Sequence, residues 1–141
     1  MPHTKKYIAI DIVPSLIVRN QQLFRAPNLE FYCLDIATAP LPPADCAILR
    51  QVLQHLSNAE IQGIVNKLAA YKYVILTEHI PNGAFKPNKD IISGQGNRLK
   101  VKSGVDLLAT PFNLKPKEET LLSAVVLNDG KGIIKTTLLQ L

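Results

Sequence analysis

Four apolar runs in the first 80 residues, at 7–11, 30–34, 46–49 and 73–77, are each of strand length, and helical patterns separate some of them. After Asp11, Pro14 suits the first turn of a helix, because its missing N–H would have no partner there. Leu16, Ile17, Asn20, Leu23 and Phe24 then recur at helical spacing, until Pro27-Asn28 breaks the pattern. The second helix is better marked. Ser57 and Glu60 form the S-x-x-E pattern of a capping box, in which each residue satisfies the other's backbone N–H. Ile61, Ile64, Val65, Leu68 and Ala69 follow as one apolar stripe. The order β-α-β-turn-β-α-β predicts an α/β fold with a mainly parallel sheet covered by helices.

The pattern changes after Glu78. Residues 81–117 open on the turn signal Pro81-Asn82-Gly83 and carry little periodicity, so they read as one long loop that is functional or partly mobile. Two further strands are expected near 121–127 and 133–139. Asn128-Asp129-Gly130-Lys131-Gly132 between them is a hairpin signal, so the chain should end in an antiparallel pair.

At 141 residues with 47% apolar and 19% charged side chains, the chain fits one folded domain, 1–141. No apolar run approaches the roughly 20 residues that cross a bilayer, so no membrane partner is expected. Cys33 and Cys46 sit in apolar runs with no CxxC or Cys/His pairing, which predicts buried reduced thiols, no metal and a cytoplasmic location. The net charge of +5 is concentrated in 86–117, where Lys86, Lys89, Arg98, Lys100, Lys102, Lys115 and Lys117 face only Asp90 and Asp106. Such a segment attracts anions. It lacks interleaved aromatics and a recognition helix, which counts against nucleic acid and favours a solvated loop.

Two acids stand out by position. Asp11 ends the run YIAID, and Asp35 follows the run in FYCLDI. Ligands of open parallel sheets bind at the carboxyl ends of the strands, and an acid there can hold a ribose diol. The structural alternatives are a helix cap for Asp11 and a turn over 37–43 for Asp35. Arg50-Gln51 ends the third run and Glu78-His79 the fourth; both pairs can face the same cleft, or Arg50 can pair with Asp45 or Glu78. His55, with no partnered acid or nucleophile at a useful spacing, reads as structural. Gly94-Gln95-Gly96 follows no clear strand and opens no apolar helix, so it reads as flexible loop. No catalytic residue is assigned.

With Asp11, Asp35 and the stretch LRQVLQHLSNAEI in place, the chain resembles the class I S-adenosylmethionine-dependent methyltransferases. YIAIDIVPSLI is similar to their second strand, acid and helix. LEFYCLDI is similar to the third strand, ADCAILRQVLQHLSNAEI to the fourth strand and helix, and KYVILTEH to the fifth. TPFNL with the last two strands resembles the closing hairpin. The resemblance implies a Rossmann-like methyltransferase fold, N-terminally truncated, because the family's first strand and glycine-rich loop would precede residue 1. It implies S-adenosyl-L-methionine as cofactor, with Asp11 as ribose ligand beside Ile12, Asp35 and Ile36 at the adenine, and Arg50 near the methyl-transfer end. It leaves the methyl acceptor open. An absent central strand would expose strand edges to self-association, unless the flanking strands pair directly or another chain fills the slot, and it leaves two expectations for the short chain, an active methyltransferase or an inactive one. The alternative is a non-catalytic binding or scaffold module that uses the basic 86–117 segment.

Overall fold

The computed structural model describes residues 3–141. They group into two compact units, one running up to Pro42 and the other Pro43–Leu141.

The first unit is β1 (Tyr7–Asp11), α1 (Pro14–Leu23) and β2 (Leu29–Cys33). The strands pair in parallel, in register from Tyr7 opposite Leu29 to Asp11 opposite Cys33. Pro14 opens the helix as its composition demands. The expected apolar stripe is only partly used, since Ile17 is buried while Leu23 and Phe24 stay exposed. An exposed ion pair, Lys6 to Glu30 at 2.9 Å, flanks β2; pairs of this kind contribute about 0–1 kcal/mol.

The second unit holds β3 (Cys46–Arg50), α2 (Asn58–Leu68), β4 (Tyr73–Pro81), β5 (Glu118–Val126) and β6 (Gly132–Gln140), with 3-10 turns at Leu53–His55 and Arg98–Val101. Its sheet has the order β3-β4-β6-β5. The capping box forms as the residues require: Glu60 N donates to Ser57 Oγ at 3.3 Å, and Ser57 N donates to Glu60 Oε2 at 3.2 Å. Ile61, Ile64, Val65 and Leu68 of the stripe are buried, and Leu49, Leu53, Val74, Leu107 and Leu139 are among the other core residues. At the hairpin, Gly130 takes φ +68, which glycine adopts without a Cβ penalty, and Gly130 N donates to Leu127 O at 2.8 Å.

The fold departs from expectation in four places. The mainly parallel sheet is two sheets, a parallel pair β1-β2 and a mixed four-stranded sheet in which only β3-β4 is parallel. β4 does not end at Glu78-His79. It continues to Pro81 because β6 pairs with it along its whole length, Tyr73 opposite Gln140 to Pro81 opposite Gly132, whereas β3 covers only its first five residues. Cys33 is exposed and Cys46 half-buried, so the thiols are free but not both interior; among the described residues β2 pairs with β1 alone, which leaves it an edge strand.

The fourth departure is the long segment, which is stapled by buried polar side chains. Asn88, at φ 59, donates through Nδ2 to Asp106 O (2.7 Å) and Thr110 O (3.0 Å), and its Oδ1 accepts Asp106 N (2.8 Å). Ser103 Oγ donates to Lys86 O at 2.7 Å and accepts Lys89 N at 3.1 Å. Arg98, one of the cations expected in solvent, is 1% exposed. Polar groups are buried where such partners replace water. Gly104 then fixes the segment's distance from β4, because a Cβ there would lie 2.8 Å from Ile80 Cγ2 and 3.1 Å from Pro81 Cδ. Gly104→Ala is expected to cost about 1–3 kcal/mol by overpacking, read as a lower urea midpoint at unchanged slope.

Candidate functional site

Asp11 and Asp35 lie at the same end of the β1-β2 sheet. Asp11 is the last residue of β1, and Asp35 follows two residues after the end of β2. Leu34 N donates to Asp11 O at 3.0 Å, which ties the two exits together. Each acid folds its own turn: Asp11 Oδ1 accepts Val13 N at 2.9 Å, and Asp35 Oδ1 accepts Ala37 N at 2.9 Å. Asp11 is not the cap of α1, since that position is Val13 and carries no side-chain cap. Among the described residues, the second oxygen of each carboxylate receives no hydrogen bond from the chain. Ile12 is 62% exposed beside Asp11, and Ile36 is half-buried beside Asp35. The sheet end thus presents two carboxylate oxygens and an apolar side chain.

Arg50 belongs to the second unit. It ends β3, is exposed, and forms no ion pair with Asp45 or Glu78 among the described residues. Gln51 follows at φ 53, a left-handed conformation that side chains other than glycine rarely take; its N–H donates to Thr77 O at 2.7 Å.

Beyond that corner lies a polar network centred on Gln54. Its backbone N–H donates to Glu78 Oε2 at 3.0 Å, its Oε1 accepts His79 N at 2.9 Å, and its Nε2 contacts His55 Nε2 at 3.3 Å. His55 Nδ1 is 2.8 Å from Gly96 O, an acceptor, so Nδ1 carries the proton and Nε2 accepts from the amide. His55 therefore anchors the Gly94-Gln95-Gly96 turn, as does Gly94 N donating to His55 O at 3.0 Å. That turn is held, where a flexible loop was expected.

Glu78 is 3% exposed, and its Oε1 has no hydrogen-bond partner among the described residues. Burial pushes its carboxyl up from 4.5 to about 8; the amides of Gln54 and Leu53 and the Arg98 charge pull the other way and do not prevail. The Arg98 guanidinium uses all five of its N–H bonds. Nε donates to Lys89 O (2.9 Å), Nη1 to Leu53 O and Gln54 O (both 3.4 Å), and Nη2 to Leu56 O (2.8 Å) and Asn58 Oδ1 (2.7 Å). Sequence reasoning placed Glu78 near a cleft but missed Arg98. The signal for Glu78 was available, as residues 74, 76, 78 and 80 alternate on one face of a strand. Arg98 carried none, because its acceptors lie 40 to 45 residues away, save Lys89 O. Among the described residues no three His, Cys, Asp or Glu side chains are grouped to hold a metal.

These elements make up a mixed α/β fold, and the comparison with solved structures gives its class at the level of fold. The chain is similar to a protein of Listeria monocytogenes provisionally named an S-adenosylmethionine dependent methyltransferase, with a TM-score of 0.61 and 10% sequence identity over 98% of this chain and 82% of that one. No family model matches the sequence, and no curated protein matches it. Among the described residues no helix is long and apolar enough to cross a membrane.

Proposed function

We propose that this chain is an S-adenosylmethionine-binding domain of methyltransferase type that serves methyl transfer to an acceptor. The observation that carries the reading is the likeness of fold over 98% of the chain, joined to the placement of Asp11 and Asp35 at the carboxyl ends of neighbouring parallel strands. The residues fit the cofactor's chemistry. Asp11, with one carboxylate oxygen engaged by Val13 N, keeps the other for the ribose hydroxyls. Asp35 and Ile36 offer an acceptor and an apolar surface to the adenine, and Ile12 adds apolar contact. The cofactor would supply an electrophilic methyl group. The chain's part is to orient it, since in-line transfer depends mainly on positioning.

Titration calorimetry with S-adenosylhomocysteine tests the reading. Binding in the wild type should weaken by about 10- to 100-fold in Asp11→Ala, as charge-assisted hydrogen bonds to a ligand contribute about 1.5–3 kcal/mol. No binding at millimolar ligand would sink it for this chain.

A further inference from the structure

The long segment closes a cavity of about 210 Å³ against the four-stranded sheet. Ile80, Phe85, Leu107 and Leu139 supply apolar wall. Glu78 also lines it, and it is the side chain whose Oε1 is buried without a hydrogen-bond partner among the described residues. Such an atom costs free energy unless something meets it. Glu78 is the residue after Thr77, where the parallel pairing of β3 with β4 ends. Leu76 and Leu139, also on its wall, lie inside the paired sheet, so the cavity sits over the sheet's face and reaches to where the parallel pairing stops.

Charge indicates what kind of ligand it takes. Besides Glu78, the titratable groups on its wall are Asp106 from the long segment, Glu119 from β5 and Lys135 from β6, with the Arg98 charge nearby. Lys135 stands opposite Glu78 in the β4-β6 register, yet the two make no ion pair among the described residues. Arg98 has its five donors committed to other acceptors. With Glu78 protonated, Asp106 and Glu119 still outnumber the one ammonium on the wall, Lys135, which disfavours an anionic ligand and favours a cation. The apolar wall asks for a hydrocarbon body.

We propose that this cavity binds a small organic ammonium ion, of about six to nine non-hydrogen atoms by comparison with cavities that hold benzene, with Glu78 receiving its charge. The site needs no S-adenosylmethionine, and its test is independent of the methyl-transfer reading. Because burial holds the Glu78 carboxyl protonated up to about pH 8, taking up an ammonium ion at pH 7 requires that proton to leave.

Cyclohexylamine and its neutral analogue cyclohexanol are the probes, titrated into the whole chain at pH 7 in two buffers of different ionisation enthalpy. Saturable binding of the amine is expected, at least about tenfold tighter than the alcohol and releasing about one proton per amine bound. The methyl resonances of Leu107 and Leu139 should shift. In Glu78→Gln, which keeps the cavity's shape, amine affinity should fall to that of the alcohol. In Leu108→Trp, which fills the cavity from a residue on its exposed side and leaves Glu78 in place, both probes should lose binding. Equal binding of amine and alcohol, unchanged amine affinity in either variant, or no saturable amine binding by the wild type would each overturn the proposal.

Discussion

Glu78→Gln will make the protein more stable at pH 8.5 while leaving it nearly unchanged at pH 5. The Glu78 carboxyl is raised from 4.5 to about 8 in the folded state by burial. A group with a raised folded pKa binds its proton more tightly in the folded than in the unfolded chain. Its stability is fully present below pH 4.5 and is lost as pH rises toward 8, because the unfolded carboxyl ionises freely while the buried one resists. Each tenfold difference in proton affinity between the two states is worth about 1.4 kcal/mol, so the loss by pH 8.5 is on the order of 4 kcal/mol. Glutamine can still accept Gln54 N and has no proton to lose. Urea unfolding of both proteins at pH 5, 7 and 8.5 measures the difference directly, and other titrating groups cancel between them. A variant that tracks the wild type across that range would show that Glu78 ionises normally.

Arg98→Met will loosen the long segment ahead of the sheet. Methionine fills similar volume but leaves Leu53 O, Gln54 O, Leu56 O, Lys89 O and Asn58 Oδ1 without their donors. Breaking buried charge-assisted contacts of this kind costs about 3–5 kcal/mol. Amide exchange should accelerate first at Asn88, Lys89 and Ser103, whose N–H groups bond within the segment. The paired amides of β4 and β6 should hold. Uniform acceleration across both regions would mean that Arg98 supports the whole unit and not the segment.

The strands and helices were legible where local chemistry decides them. Tyr7–Asp11 is bounded as its apolar run predicts, and α2 begins at the capping box. The Asn-Asp-Gly turn joins two antiparallel strands. What was not legible depends on partners distant in the chain. The extension of β4 to Pro81 comes from β6, more than 50 residues later. The order of the 81–117 segment comes from Asn88, Arg98 and Ser103, polar residues whose composition alone reads as solvent-exposed loop. Of the candidate site, Asp11 and Asp35 were readable from strand ends, and Glu78 from strand alternation. Its orphaned oxygen was not, since that depends on what fails to reach it.

The five bonds of Arg98 also make the segment depend on a distant part of the chain. Four of its acceptors lie between Leu53 and Asn58, some 40 to 45 residues back along the chain, and three of them are carbonyls turned inward by the first 3-10 turn and the approach to α2. Until that turn exists there is no cradle for the guanidinium, and closing so large a loop around it earns nothing early in folding. The 81–117 segment is thus held by bonds that reach across the chain, and the cavity beneath it exists only while they do.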